Sequence, residues 1–285
     1  MDGPSILVRS LSVVRPIGKQ GYVGQYHSRS DQHSKTVCWA ILLDLLAESA
    51  LLRHHAETGK VVCGVNHEMR DFKAQRKKNL DLVLATPGTP DPHSKRAIRS
   101  FKELAGQFQI SLGEGEAARL ATLPDVLGGP VGSVLLALEA KACMTAHIKA
   151  LPRLYDELNS SQLTVHGSAD QAIAAGLAMV NMADTFVSSD KNPLGLAELD
   201  SKVTQHRQPR DTARTIEKLR ELPRRNRPGV EGFDALGIVV VTCANDGSPV
   251  TLVTRPPAPG TSDDYHYDQM VRRAASIYDQ RFQGL

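Results

Sequence analysis

The chain has 285 residues, 41% of them hydrophobic, and a formal net charge of +3. That is enough apolar material for one large domain or two smaller ones. No apolar run reaches the roughly 18 residues of a membrane span, and the first residues show no basic-then-apolar signal segment, so a cytoplasmic protein with no membrane partner is expected.

The four cysteines (Cys38, Cys63, Cys143, Cys243) are scattered, three of them in apolar runs. They read as reduced thiols, not as a disulfide framework or a zinc site. A charge this close to neutral permits nucleic-acid binding only through local clusters.

In chain order, residues 5–14 read as an N-terminal strand and 15–34 as a long polar loop. A mostly buried helix is expected over 36–56, with Ser34 as its cap and Gly59 just past its end. Residues 61–66 and 80–85 read as strands separated by a basic loop, 70–78. Residues 86–93 are a turn-rich break, and helical patterning returns over 95–108 and 115–122. Gly128-Gly129-Pro130 turns the chain into a strand over 133–141. A helix over 143–158, bent or ended by Pro152, a short strand over 163–167 and a small-residue helix over 169–187 follow. Residues 190–211 read as a weakly structured connection, and 212–220 as a basic helix. Two strands, 236–241 and 250–254, flank Asn245-Asp246-Gly247-Ser248 as a hairpin. A last helix covers 264–282. The expected fold class is α/β, a mixed sheet flanked by helices. Its parts are an N-terminal strand and loop (1–34), a core (35–190, with a helical insertion at 86–130) and a C-terminal extension with hairpin and helix (191–285).

Glu139-Ala140-Lys141 ends the apolar run Val134-Leu135-Leu136-Ala137-Leu138. In a strand, residues i and i+2 share a face, so a carboxylate and an amine stand side by side at the rim of a core. Unpaired buried charges cost several kcal/mol each, by order of magnitude. A strand ending this way therefore opens into a functional cleft or carries a structural ion pair. Asp81 lies inside a second apolar strand, Leu80-Asp81-Leu82-Val83-Leu84. Two carboxylates suit a hard cation such as Mg²⁺, which polarises a phosphoryl oxygen and activates water. The lysine can orient or deprotonate that water, or stabilise charge on the phosphate.

Helix, hairpin with an acid, strand ending in Glu-x-Lys and helix: over residues 35–167 this order resembles the PD-(D/E)xK nuclease superfamily, which includes many restriction endonucleases. The resemblance implies a restriction-endonuclease-like fold and a Mg²⁺-dependent DNA endonuclease of restriction or other defence, with Mn²⁺ able to substitute. It implies that Asp81 and Glu139 bind the metal, that Lys141 positions or activates water, and that an acid on the preceding helix assists. Glu48 is the candidate there, with Asp44 one turn earlier. The gap from Asp81 to Glu139 exceeds the family's usual spacing, hence the insertion. Pro124-Asp125 offers a rival hairpin acid, but its strand is too short to bring Asp125 opposite Glu139. Cutting both DNA strands needs two active sites, so a homodimer is the expected form.

The basic residues Lys73, Arg76, Lys77 and Lys78 precede the Asp81 strand and are candidate phosphate contacts, as are Lys149 and Arg153 on the helix after Glu-x-Lys. Arg224, Arg225 and Arg227 form a second cluster, read as a solvated connector. The polar segment 26–35 reads as a loop that can meet base edges or phosphates. No histidine pair has zinc-ligand spacing, and no Gly-x-Ser-x-Gly elbow is present. Two other readings stay open: a catalytically inactive nucleic-acid-binding or assembly protein of the same fold, and a nuclease acting on RNA.

Overall fold

In the computed structural model, which describes residues 1–18, 21–72, 74–90, 99–198 and 200–285, the chain opens on helix α1 (Gly3–Leu11). A strand was expected over 5–14. Ile6, Leu7, Ser10 and Leu11 are the buried positions, and their spacing of three to four residues is helical. A small hairpin, β1 (Arg15–Ile17) and β2 (Tyr22–Gly24), follows.

Helix α2 (Gln32–Glu48) starts earlier than expected, so Ser34 lies inside it and not at its cap. It stops at Ser49, whose hydroxyl accepts from Leu52 N at 2.9 Å and caps a separate α3 (Ala50–Glu57). Strands β3 (Val62–Asp71) and β4 (Arg76–Pro87) absorb most of the basic loop expected over 70–78. Helices α4 (Phe101–Gln107) and α5 (Glu114–Thr122) lie in the insertion. The start of the helix expected over 95–108 falls outside the described residues.

Strand β5 (Val131–Cys143) leads into α6 (His147–Ser168). Pro152 neither ends this helix nor stops it short of the strand expected over 163–167. Its ring sits in the second turn, where the lost bond is the one to Ile148, and Leu154, Leu158 and Val165 continue the buried stripe. The helix expected over 169–187 is instead β6 (Ile173–Asn181) and β7 (Thr185–Val187). All nine residues of β6 are buried. A strand covered on both faces shows no alternation, so its small apolar residues do not declare a period. The chain finishes with β8 (Val203–Gln205), α7 (Arg210–Arg220), β9 (Ala235–Thr242), β10 (Thr251–Val253) and α8 (Tyr267–Arg281).

The protein is an α/β structure around a six-stranded mixed sheet in the order β10-β9-β6-β5-β4-β3. Strands β3, β4 and β5 are antiparallel, β5, β6 and β9 parallel, and β10 antiparallel to β9. One apolar core joins the sheet to α1, α2, α4 and α8. The other joins it to α6 and α7. Helix α2 is apolar around most of its circumference and is correspondingly buried from Val37 to Leu46. Residues beyond 190 complete the same sheet through β9, which pairs with β6 from Ala175–Ala235 to Asn181–Val241. Among the described residues no helix is long and apolar enough to cross a membrane.

Candidate functional site

Strands β4 and β5 run together from Pro87–Val131 to Leu82–Leu138, and their pairing stops there. From that point β4 stays with β3 out to Asp71–Arg76, while β5 stays with β6 to Cys143–Val180. The sheet therefore forks, and Asp81 and Glu139 are the next residues out on its two arms. The β3–β4 register is continuous except for one pair, Asn66 and Asp81. Asn66 has φ +48°, a left-handed conformation that asparagine tolerates better than most residues. The strand is thus kinked opposite Asp81.

Asp81 turns into the fork. Its Oδ2 accepts from Ala140 N at 2.9 Å, between Glu139 and Lys141. Ser34, from the first turns of α2, stands beside the same carboxylate and helps hold it ionised, but burial prevails and raises its pKa. Glu139 is 3% exposed. Its Oε1 lies 2.6 Å from Lys141 Nζ and 3.7 Å from Lys78 Nζ. Lys141 is the partner of Oε1, and Oε2 has no hydrogen-bond donor among the described residues. Burial and the neighbouring Asp81 charge raise the Glu139 pKa against the pull of the two lysines.

The two amines respond in opposite directions. Burial pulls the Lys141 ammonium down, but Glu139, by charge and hydrogen bond, together with Asp81, outweighs it and raises its pKa. Lys78 is lowered, because burial and Lys141 outweigh Glu139. Lys78 Nζ also donates to Ser160 Oγ at 3.0 Å and to the Glu157 carbonyl, which fixes it to α6. His33, one residue before Ser34, has its pKa pushed down to about 4 by burial and by Lys141. Its ring packs 5.2 Å from that of Tyr26.

The structure thus brings Asp81, Glu139 and Lys141 together. It does not bring Glu48, which is exposed at the far end of α2. Fourteen positions separate it from Ser34 on that helix, about 21 Å at 1.5 Å per residue. Asp44 is 1% exposed but serves elsewhere. Its carboxylate accepts from the backbone of Asp2 and Gly3 and from the Tyr267 hydroxyl, anchoring α1 and α8 to α2. Asp125 accepts from Lys102 N at 3.0 Å at the start of α4, away from the fork.

Of the basic candidates, Lys78 points inward to the site. Arg76 pairs with Asp71 at 3.6 Å and Lys77 with Glu68 at 2.8 Å. Lys149 is exposed, and Arg153 is exposed and paired with Glu157 at 2.6 Å. Lys73 lies outside the described residues. Arg225, read as a solvated connector, is buried and bound to Asp234 at 3.1 Å.

Sequence reasoning set Lys78 among the phosphate contacts and Ser34 at a helix cap, and missed that both face the two carboxylates. Lys78 had a signal: it stands two residues before the buried Leu80, so both share a face. Ser34 had none, because it looked like a helix cap.

Two carboxylates whose pKa values are raised by burial stand beside two lysines, and Glu139 Oε2 has no hydrogen-bond donor among the described residues, so the pair still offers oxygen ligands to a cation. Magnesium is commonly held by one or two carboxylates with water and phosphate filling its remaining positions, and the pair fits that pattern. Among the described residues no group of three or more His, Cys, Asp or Glu side chains is arranged to hold a metal ion. No protein-family model, curated protein or solved structure matches the chain.

Proposed function

We propose that the protein is a Mg²⁺-dependent DNA endonuclease of restriction-endonuclease-like fold, acting on phosphodiester bonds in a restriction or defence role and working as a homodimer. The observation that carries this reading is the Asp81–Ala140 hydrogen bond, which puts the acid of one arm of the fork against the Glu-x-Lys of the other. The order α2, α3, β3, β4, α4, α5, β5, α6, β6, with β5 and β6 parallel, supports it as well.

Asp81 and Glu139 would hold the cation, which supplies Lewis acidity toward a phosphoryl oxygen and a more acidic bound water. The chain's own residues do the rest. Lys141, 2.6 Å from Glu139, would orient water and stabilise phosphate charge. Lys78 holds Glu139 in place from α6. Ala140 N orients Asp81, and Ser34 supports it. Arg76 and Lys77 toward the hairpin tip, and Lys149 and Arg153 on α6, offer exposed cations for the phosphate backbone.

A plasmid incubated with and without Mg²⁺ tests this. The reading expects nicking or linearisation with the metal, none after chelation, and none from Lys141→Ala. An RNA substrate run in parallel reads the RNA-directed alternative. Absence of cleavage of methylated, unmethylated and branched DNA under Mg²⁺ and Mn²⁺ would overturn the enzyme and favour a binding protein of the same fold.

A further inference from the structure

The hairpin that carries Asp81 at its base presents Phe72 at its tip. Among the described residues Phe72, 64% exposed, is the most exposed large apolar side chain, and no other exposed large apolar residue belongs to this hairpin. Around it Arg70, Gln75, Arg76 and Lys77 are exposed, Arg76 beside Asp71 and Lys77 beside the exposed Glu68.

The backbone under the ring is fixed. Phe72 N donates to the Gly167 carbonyl at 3.3 Å, Gln75 Nε2 to the Phe72 carbonyl at 3.0 Å, and Arg70 to Gln75 at 3.0 Å. Asp71 is buried against the last turn of α6, where a Cβ on Gly167 would come within 2.1 Å of Asp71 Oδ1. Glycine at 167 lets the hairpin dock that closely. The ring therefore stands on a braced platform while its own surface meets water.

We propose that Phe72 inserts into the base stack of bound duplex DNA, as an apolar wedge at a distance from the cut. A lone aromatic ring among cations matches a polyanion with an apolar interior. A hydrophobic protein partner calls instead for a contiguous apolar patch. Apolar side chains inserted at base steps are an established way to unstack and kink a duplex. The same hairpin leads to the fork, so DNA held at Asp81 can lie along it. The tip stands about 20 Å from Asp81, counting six residues at about 3.3 Å each, which is roughly six base steps at 3.4 Å. This inference rests on the nuclease reading for its polyanion.

The test uses the full chain without divalent metal and a duplex carrying 2-aminopurine at several internal positions. Wild-type protein should raise the probe's fluorescence on binding. Phe72→Ala should abolish that rise and weaken affinity by roughly tenfold, the loss expected for one base–aromatic stack. Phe72→Trp should keep both. A wild-type complex that binds without a fluorescence rise and cuts the duplex once Mg²⁺ is added, or a Phe72→Ala protein that keeps the rise, overturns the wedge and leaves the nuclease reading standing. Failure of wild-type protein to bind any duplex overturns both. Binding of wild-type protein, but not Phe72→Ala, to phosphatidylserine vesicles with no effect on the duplex would reassign the ring to a membrane surface and overturn the proposal.

Discussion

Asp81 Oδ2 accepts a hydrogen bond from the backbone nitrogen of Ala140 at 2.9 Å. The acid of one strand is thereby tied to the peptide that links the acid and the amine of the next. The fork in the sheet creates this relationship. Had β4 and β5 stayed paired past Leu82 and Leu138, Ala140 N would have faced a strand and not a side chain.

The arrangement stabilises chemistry at the expense of the fold. Burial raises the Asp81 pKa, so the folded state binds this proton more tightly than the unfolded chain. Stability from this group is greatest below the unfolded pKa, about 3.9, and is lost as pH rises from there through the folded value. At pH 7 the ionised side chain opposes folding. Asp81→Asn, whose amide oxygen can still accept from Ala140 N, should melt at a higher temperature than wild type at pH 7, with the gap closing in acid. Thermal melts across pH read this, and a lower melting temperature for Asp81→Asn at pH 7 would contradict it. Added Mg²⁺ should raise the wild-type melting temperature and leave Asp81→Asn unmoved.

The two lysines should separate in cleavage assays. Lys141 lies 2.6 Å from Glu139. Lys141→Met should reduce cleavage by on the order of 10²–10³-fold, the usual cost of removing one electrostatic stabiliser. Lys78 stands farther off at 3.7 Å and is bonded to α6. Lys78→Met should cost less activity and more stability. Equal losses of activity would contradict the division of roles.

On α2, position along the helix decides the outcome. Glu48→Ala should leave cleavage unchanged, since the side chain is exposed and far from the fork. Asp44→Ala should leave chemistry intact but destabilise the protein by about 2–4 kcal/mol, because buried donors from Asp2, Gly3 and Tyr267 lose their acceptor. Chemical denaturation and plasmid cleavage, run on both variants, check this.

A second buried acid, just before β9, serves the fold. Asp234 is 1% exposed and holds Arg225, Arg281, His166 and Ala174 N. Burial alone would raise its pKa, but these partners outweigh it and lower it to about 2. Its contribution is complete above the unfolded pKa and is lost as pH falls through the folded one. Asp234→Ala strands the fully buried Arg225 and should cost about 3–5 kcal/mol at pH 7, with the difference from wild type shrinking below pH 4, near the unfolded value. Urea melts at the two pH values measure it.

Charge inside apolar runs made the site legible in the sequence. Glu139, Lys141 and Asp81 stood out because each interrupts a stretch that otherwise only buries. The strands around them were legible for the same reason, and so was the hairpin around Asn245 and Gly247. Segment 173–181 was not, because a strand covered on both faces shows no period of two, and its alanines suit a helix equally. Residues 5–14 failed the other way, since β-branched residues drew a strand from a helical pattern. The assisting acid was placed at Glu48 because helix pattern alone does not say which end of α2 meets the fork. That end is set by long-range packing of α2 against α1, α8 and the sheet.

The most direct test is an anomalous-scattering map from crystals of the full chain grown with Mn²⁺ and an uncleaved phosphorothioate duplex. The account predicts a manganese peak bridging the carboxylates of Asp81 and Glu139, with a DNA phosphate on the same ion and Lys141 beside it. A duplex seated elsewhere, or manganese bound away from the fork with Asp81 still closed on Ala140 N, would contradict it.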